Sequence, residues 1–365
     1  MNSLFPSHQL LFLRSKSVKN KLILLGILVG VSGGIYFLTH QNQPPQAVIP
    51  EILQFQSTPQ PSSTPFPFQE LTIPYLRSRS YQSALGPLAK HSENASYTSY
   101  VTSYDSDGLR INGLLTVPKG TESSKNPAIV FVHGYIPPTQ YRTTQSYASY
   151  VDYLAKNGFV VFKIDLRGHD QSEGESGGGY YSGDYIIDVL NARAALAVSD
   201  FVNPNKIGLW GHSMSGNVVF RAFAAQGDIP AVVIWAGAVY TYEDFQKYSI
   251  EDGSYQPPPP NTERARKRRE LFMRYGQFDP RSEFWRQVVP TNYLDGITGA
   301  VQINHATNDP VVNIEYSRNL MDILDGTPIP HELYEYPSGG HNLTGTTFTQ
   351  VMTRTVEFFK KNLGE

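Results

Sequence analysis

The six residues Gly211-His212-Ser213-Met214-Ser215-Gly216 constrain this chain more than any other stretch, because they set a serine among small residues where a strand must turn sharply into a helix. Upstream, Lys206-Ile207-Gly208-Leu209-Trp210 reads as a short buried strand; downstream, Asn217 to Gln226 reads as a helix rich in Val, Phe and Ala. So tight a junction needs small side chains two positions before and two after its central serine, so that the two backbones can approach. Gly211 meets the first requirement. Ser215 stands where glycine is usual, small enough to be tolerated, and is itself the weaker nucleophile candidate, with the bulkier Asn217 after it. The alternative is a cluster of small residues that packs helix on strand and does no chemistry.

A serine hydroxyl is a poor nucleophile at neutral pH and requires a histidine within hydrogen-bond reach and a carboxylate to orient it. Ala300 to His305 reads as a strand running into Ala306-Thr307-Asn308-Asp309-Pro310-Val311-Val312, which places Asp309 on a loop at the strand's C-terminal end. A further strand, His331 to Tyr336, leads through Pro337-Ser338-Gly339-Gly340 to His341. Asp309 is the expected acid and His341 the expected general base. A tetrahedral intermediate also needs backbone N–H donors aimed at its oxygen. The expected pair is Met214, directly after the serine, and Tyr135, which follows the strand Pro127 to Val132 and the turn His133-Gly134. A plain strand-ending turn is the alternative for His133-Gly134. Serine, aspartate, histidine along the chain is the order of an α/β-hydrolase.

From about Tyr97 to the C-terminus the chain resembles the catalytic domain of the prolyl oligopeptidase family of serine peptidases. Five passages carry the resemblance: the hairpin Tyr104 to Leu115, the His133-Gly134 loop, Asp165-Leu166-Arg167-Gly168-His169, the serine turn, and Asn308-Asp309-Pro310-Val311-Val312 with Gly340-His341. The resemblance assigns Ser213, Asp309 and His341 the triad roles and implies an acyl-enzyme that needs no cofactor. It departs from the family at Ser215 and at Asp170. Large members of that family carry a β-propeller ahead of the hydrolase, whose blades take roughly 40 to 50 residues each. The segment before Tyr97 is too short for one, and it shows no pair of glutamates to hold a peptide's amino terminus. A small peptide and a carboxylic ester therefore both stand as expected substrates, with a surface binding module on a retained fold as the non-enzyme alternative.

Forty per cent apolar residues suits one sizeable domain, and 30 basic against 32 acidic residues suggests no nucleic-acid partner. With no cysteine, thiol catalysis and cysteine-ligated metals are excluded, and no short-range motif among His133, His169, His305 and His341 points to a metal. The N-terminus reads as a basic cytoplasmic segment, 1–21, before an apolar run at 22–38. At about 1.5 Å per residue that run covers most of a bilayer's ~30 Å core. It is expected to be an uncleaved membrane anchor, with the domain periplasmic or extracellular; a cleaved signal peptide, leaving a secreted protein, is the alternative. Residues 39–70, rich in Pro, Gln and Ser, read as a tether, and 71–96 as an extension packing on the hydrolase.

Within 97–365, strands near 97–104, 110–117, 128–132, 160–165, 206–210, 231–235, 300–305 and 332–336 alternate with helices near 144–157, 184–199, 215–226, 314–324 and 346–362. The pattern predicts an α/β fold with a mostly parallel eight-stranded sheet and helices on both faces. A cap insertion at about 238–297 interrupts it. Its basic run, Arg264-Ala265-Arg266-Lys267-Arg268-Arg269, reads as a solvated helix face or as an attractor for an acidic substrate. Asp165 and Arg167 are expected to pair as a loop brace, and His212 to pack beside the serine.

Overall fold

The computed structural model describes residues 66–121 and 125–364. The first described elements are a short 3-10 turn at Gln69–Leu71 and a helix α1 (Ile73–Ser78), capped by the Thr72 hydroxyl, which accepts from the Tyr75 N–H. Among the described residues, nine strands then form one sheet: β1 (Ala89–Glu93), β2 (Tyr97–Ser106), β3 (Leu109–Pro118), β4 (Asn126–Val132), β5 (Val160–Ile164), β6 (Val202–His212), β7 (Ala231–Trp235), β8 (Ala300–Ala306) and β9 (His331–Tyr336). The spatial order is β1-β2-β3-β5-β4-β6-β7-β8-β9. The first three strands run antiparallel, β3 meets β5 antiparallel, and every pairing from β5 to β9 is parallel.

Asp107 and Gly108 both take positive φ between β2 and β3, the two-residue turn whose twist matches a hairpin. The parallel strands are buried along their lengths because helices cover both faces. On one face Val130, Val132, Leu209 and Ile234 pack with α3 (Asp184–Ala197) and α4 (Met214–Ala225). On the other, Ile129, Phe131, Trp210 and Trp235 pack with α2 (Ala148–Lys156) and α9 (Thr346–Leu363). Neighbouring residues in one strand thus enter two different cores, as the period of two demands. Between β7 and β8 come α5 (Tyr242–Lys247), α6 (Glu263–Tyr275) and α7 (Glu283–Val288); α8 (Glu315–Asp325) links β8 to β9.

The ninth strand corrects the expected eight. Ala89-Lys90-His91-Ser92-Glu93 is exposed at every position and carries no alternation, so only its pairing with β2 reveals it. Packing also extends into the span read as tether. Phe66 and Phe68 pack against the core, with the Phe68 ring edge-on to Tyr275 at 6.4 Å. Ile73 and Leu76 are fully buried, and Arg77 donates to the carbonyls of Ala224 (2.8 Å) and Tyr293 (2.6 Å), so the segment braces the far end of α4. The expected anchor, 22–38, lies outside the described residues. Among the described residues no helix is long and apolar enough to cross a membrane.

β4 lies between β5 and β6, so the chain steps to one side and then back across β4. Ligands bind where an open parallel sheet reverses in this way, beyond the C-terminal ends of its strands. The loops after β4, β6, β8 and β9 meet there.

Candidate active site

The turn after β6 carries Ser213 at φ 55° and ψ −121°, a conformation that L-residues seldom adopt. Neighbouring packing enforces it. A Cβ on Gly211 would lie 2.6 Å from the Ser215 carbonyl oxygen, and one on Gly216 would lie 2.6 Å from the Gly237 Cα, so both must be glycine. Ser213 occupies the N-cap position of α4 yet makes no capping bond, which leaves its hydroxyl for another partner.

That partner is His341. The Ser213 hydroxyl lies 2.8 Å from His341 Nε2, and His341 Nδ1 lies 2.8 Å from Asp309 Oδ2. The structure therefore brings together all three residues singled out from the sequence, from loops 128 and 32 positions apart. The Asp309 side chain is 1% exposed. Burial alone would raise its pKa, but hydrogen bonds from His305 and His341 and the Val311 N–H outweigh that and hold the carboxyl below the usual carboxylate range. His305 is the partner that sequence reading missed. Its Nε2 lies 3.1 Å from Asp309 Oδ2 while its Nδ1 accepts from the Ser317 hydroxyl at 2.7 Å. Its place four residues before the acid, at the end of a buried strand, was the available signal.

The N–H groups of Tyr135 and Met214 donate to nothing among the described residues. Met214 is the first residue of α4, where the amide has no intrahelical acceptor and the helix dipole favours negative charge. Next to Tyr135, Gly134 is locked: a Cβ there would lie 2.8 Å from Tyr147 Oη and 2.9 Å from His212 Nδ1. Ser215, the departure from the usual glycine, donates its hydroxyl to the His133 carbonyl and so ties the β4 loop to the serine turn.

The cleft above Ser213 measures about 470 Å³. Tyr135, Tyr147 and Tyr150 form aromatic walls, and among the described residues no lysine or arginine lines it. The segment after α5 closes one side. Ile250 bridges to Val312 in the acid loop, the Glu251 N–H donates to the Val311 carbonyl (2.8 Å), and the Gln256 N–H donates to Tyr135 Oη (2.8 Å). This strap carries Asp252 into the cleft lining. Ser254 donates its N–H (2.9 Å) and its hydroxyl (2.6 Å) to Asp252 Oδ1, and no basic side chain pairs with the carboxylate among the described residues. No motif in the insertion marks Asp252.

Two expectations change. Arg167 does not pair with Asp165; it grips Asp188 (2.6 Å) and Asp184 (3.3 Å) on α3. Asp165 instead accepts from Tyr141 (2.8 Å) and Thr143 (2.5 Å), and burial pushes it up to about 6 against the opposing pull of Lys163. The basic run is only partly a solvated face. Arg264 pairs with Asp184 (2.6 Å) and Arg268 lies 4.6 Å over the Tyr181 ring, so both hold the cap to the body. Among the described residues no cluster of three or more His, Asp or Glu could hold a metal.

The sequence pattern of the serine aminopeptidase S33 family matches residues 123–269, less than half of the chain. The uncharacterized peptidase YtmA of Bacillus subtilis (strain 168) is 23% identical over 265 residues, covering 72% of this chain and 93% of that protein. Dipeptidyl peptidase 4 of Porphyromonas gingivalis superposes with a TM-score of 0.56 at 19% identity, over 73% of this chain and 36% of that one. Acetyl xylan esterase 1 from Thermoanaerobacterium sp. JW/SL YS485 superposes with a TM-score of 0.54 at 19% identity, over 82% and 95%. This is a serine-hydrolase-type α/β-hydrolase. Its fold is shared by peptidases and esterases alike, and the present chain spans only about a third of the dipeptidyl peptidase. The α/β-hydrolase body supplies the machinery, and the cap and strap supply the walls.

Proposed function

We propose that this hydrolase is a peptidase acting on short peptides that carry a free amino group. Ser213 attacks the scissile carbonyl as His341 Nε2 takes its proton, and Asp309 holds the imidazole through Nδ1–H. The Met214 and Tyr135 N–H groups face the developing oxyanion. His341 then returns its proton to the leaving amine, and water, activated by the same histidine, releases the acyl group. The observation that carries the substrate class is Asp252, a carboxylate in an aromatic cleft that has no basic partner among the described residues. An ammonium group meeting it gains a charge-assisted hydrogen bond worth about 1.5–3 kcal/mol. The peptidase named in Bacillus subtilis, matched over nearly its whole length, supports the same reading. The apolar run at 22–38 behind basic residues supports presentation outside the cytoplasm on a membrane anchor, which alkaline extraction of membranes from the source cell would test.

The deciding experiment compares three substrates: an alanine or proline nitroanilide with a free amine, its N-acetylated form, and a short-chain nitrophenyl ester. Wild type should turn over the free-amine anilide and Ser213→Ala should not. Asp252→Asn should raise KM for that anilide roughly tenfold and leave the ester unaffected. Ester turnover with no anilide cleavage would replace the peptide reading with a carboxylesterase.

A further inference from the structure

Two residues outside the triad join its halves. The Gly134 N–H donates to Tyr147 Oη at 3.0 Å. Tyr147 Oη also lies 2.6 Å from His212 Nδ1, and His212 Nε2 lies 2.9 Å from the backbone carbonyl oxygen of His341. The direction of every bond follows from the ends. An amide N–H can only donate and a carbonyl can only accept, so Tyr147 accepts from Gly134 and gives its own proton to His212 Nδ1. The single ring proton of a neutral His212 then sits on Nε2 and goes to His341. Burial keeps that imidazole neutral, pushing it down to about 3.

We propose that Tyr147 and His212 are positioning residues that hold the oxyanion loop and the base loop in one register through this hydrogen-bond chain. The inference rests on the serine-hydrolase reading above. At one end the chain fixes the Gly134 amide, adjacent to the Tyr135 N–H that would face the oxyanion. At the other it fixes the peptide of His341. The base loop carries Gly339 at φ 118°, Gly340 at φ 59° and Leu343 at φ 49°; the Gly340 N–H donates to Asn308 Oδ1 (3.0 Å), the Leu343 N–H to the Gly340 carbonyl (3.2 Å) and the Thr344 N–H to the Gly339 carbonyl (3.0 Å), and none of these bonds holds the His341 carbonyl. A second bond, from Tyr150 Oη to the Asn342 carbonyl at 2.8 Å, steadies the next residue but not the carbonyl that His212 holds. The fold makes the arrangement possible because Tyr147 is the N-cap of α2, His212 ends β6 and His341 follows β9.

The test uses the full-length chain with Tyr147→Phe, His212→Asn, His212→Gln and the double variant Tyr147→Phe/His212→Asn. The readouts are kcat and KM on the best anilide or ester and the rate of Ser213 labelling by a fluorophosphonate, which needs no knowledge of the natural substrate. An asparagine amide reaches only the Nδ1 position, whereas a glutamine amide reaches the Nε2 position and can still donate to His341. Tyr147→Phe and His212→Asn should each lower kcat and labelling roughly 10- to 100-fold, with KM changed less than about twofold. His212→Gln should recover most of the loss. The double variant should be little worse than either single one, since all three break the same chain. Equal activity of the Asn and Gln variants, additive losses, or an effect on KM alone would overturn the proposal. If His212→Asn fails to fold, Tyr147→Phe, which keeps the ring in place, decides it by the split between kcat and KM. Absence of Ser213-dependent labelling in the wild type would overturn the hydrolase reading itself, and this inference with it.

Discussion

Replacing Asp309 with asparagine changes one atom, and the structure dictates which one. Asp309 Oδ1 accepts from the Val311 N–H (2.8 Å) and the Val312 N–H (3.0 Å), both of which can only donate, so the amide oxygen must remain there. The new NH2 then occupies the Oδ2 position, opposite His341 Nδ1 and His305 Nε2. His305 can keep its Nε2 proton on the Val312 carbonyl, 3.1 Å away. His341 adapts only by accepting at Nδ1, which places its proton on Nε2, 2.8 Å from the Ser213 hydroxyl. In that tautomer the base cannot take the serine's proton. The expected loss in kcat is about 10⁴-fold, equivalent to about 5 kcal/mol of transition-state stabilisation at 1.36 kcal/mol per decade. KM should hardly move, because Asp309 itself does not line the cleft. The assay is Ser213-dependent turnover of the best anilide or ester at pH 8, beside thermal melting to establish that the variant is folded. A folded Asp309→Asn protein with kcat within tenfold of wild type would refute the tautomer argument.

Two further outcomes follow from the same geometry. Gly134→Ala should cost about 1–3 kcal/mol of stability and most of the activity, because its methyl would wedge Tyr147 from His212; melting and turnover measured together would expose a benign substitution. Stability should fall on acidification. His133, His169 and His212 are all pushed below the ordinary histidine range by burial, His169 to about 4 and His212 to about 3. The unfolded chain therefore binds more protons below about pH 6.5, so stability is fully present above that pH and is lost as pH falls toward 4 and 3. Each such histidine contributes a slope of about 1.4 kcal/mol per pH unit, and urea midpoints that stay level between pH 7 and pH 5 would contradict it.

The legible parts of this chain share a cause. Parallel strands buried on both faces read as unbroken apolar runs, such as Ala128 to Val132 and Ala231 to Trp235, and the glycines at 211 and 216 mark a turn whose sterics admit little else. Asp309 and His341 were readable because each follows such a strand. β1 was not, since an exposed edge strand is held by backbone pairing that its side chains do not announce. Arg167 is expected to pair with Asp165, the carboxylate two residues away, and pairs instead with two on α3, at 184 and 188. Ser215 stands where glycine is usual, and only the fold shows its hydroxyl spanning to the His133 carbonyl.

Local sterics and hydrophobic period, both short-range properties, are enough to determine the strand–turn–helix around Ser213, the order of nucleophile, acid and base, and the layered α/β body. The partners of those residues are a different matter. Tyr147 and His212 between the two loops are joined across 65 and 129 positions, Asp252 reaches the cleft on the strap, and even His305, four residues before the acid, meets Asp309 only through the fold of the acid loop. Only the packing of the elements decides such contacts, because a hydrogen bond is specified by ångström distances that sequence separation does not encode.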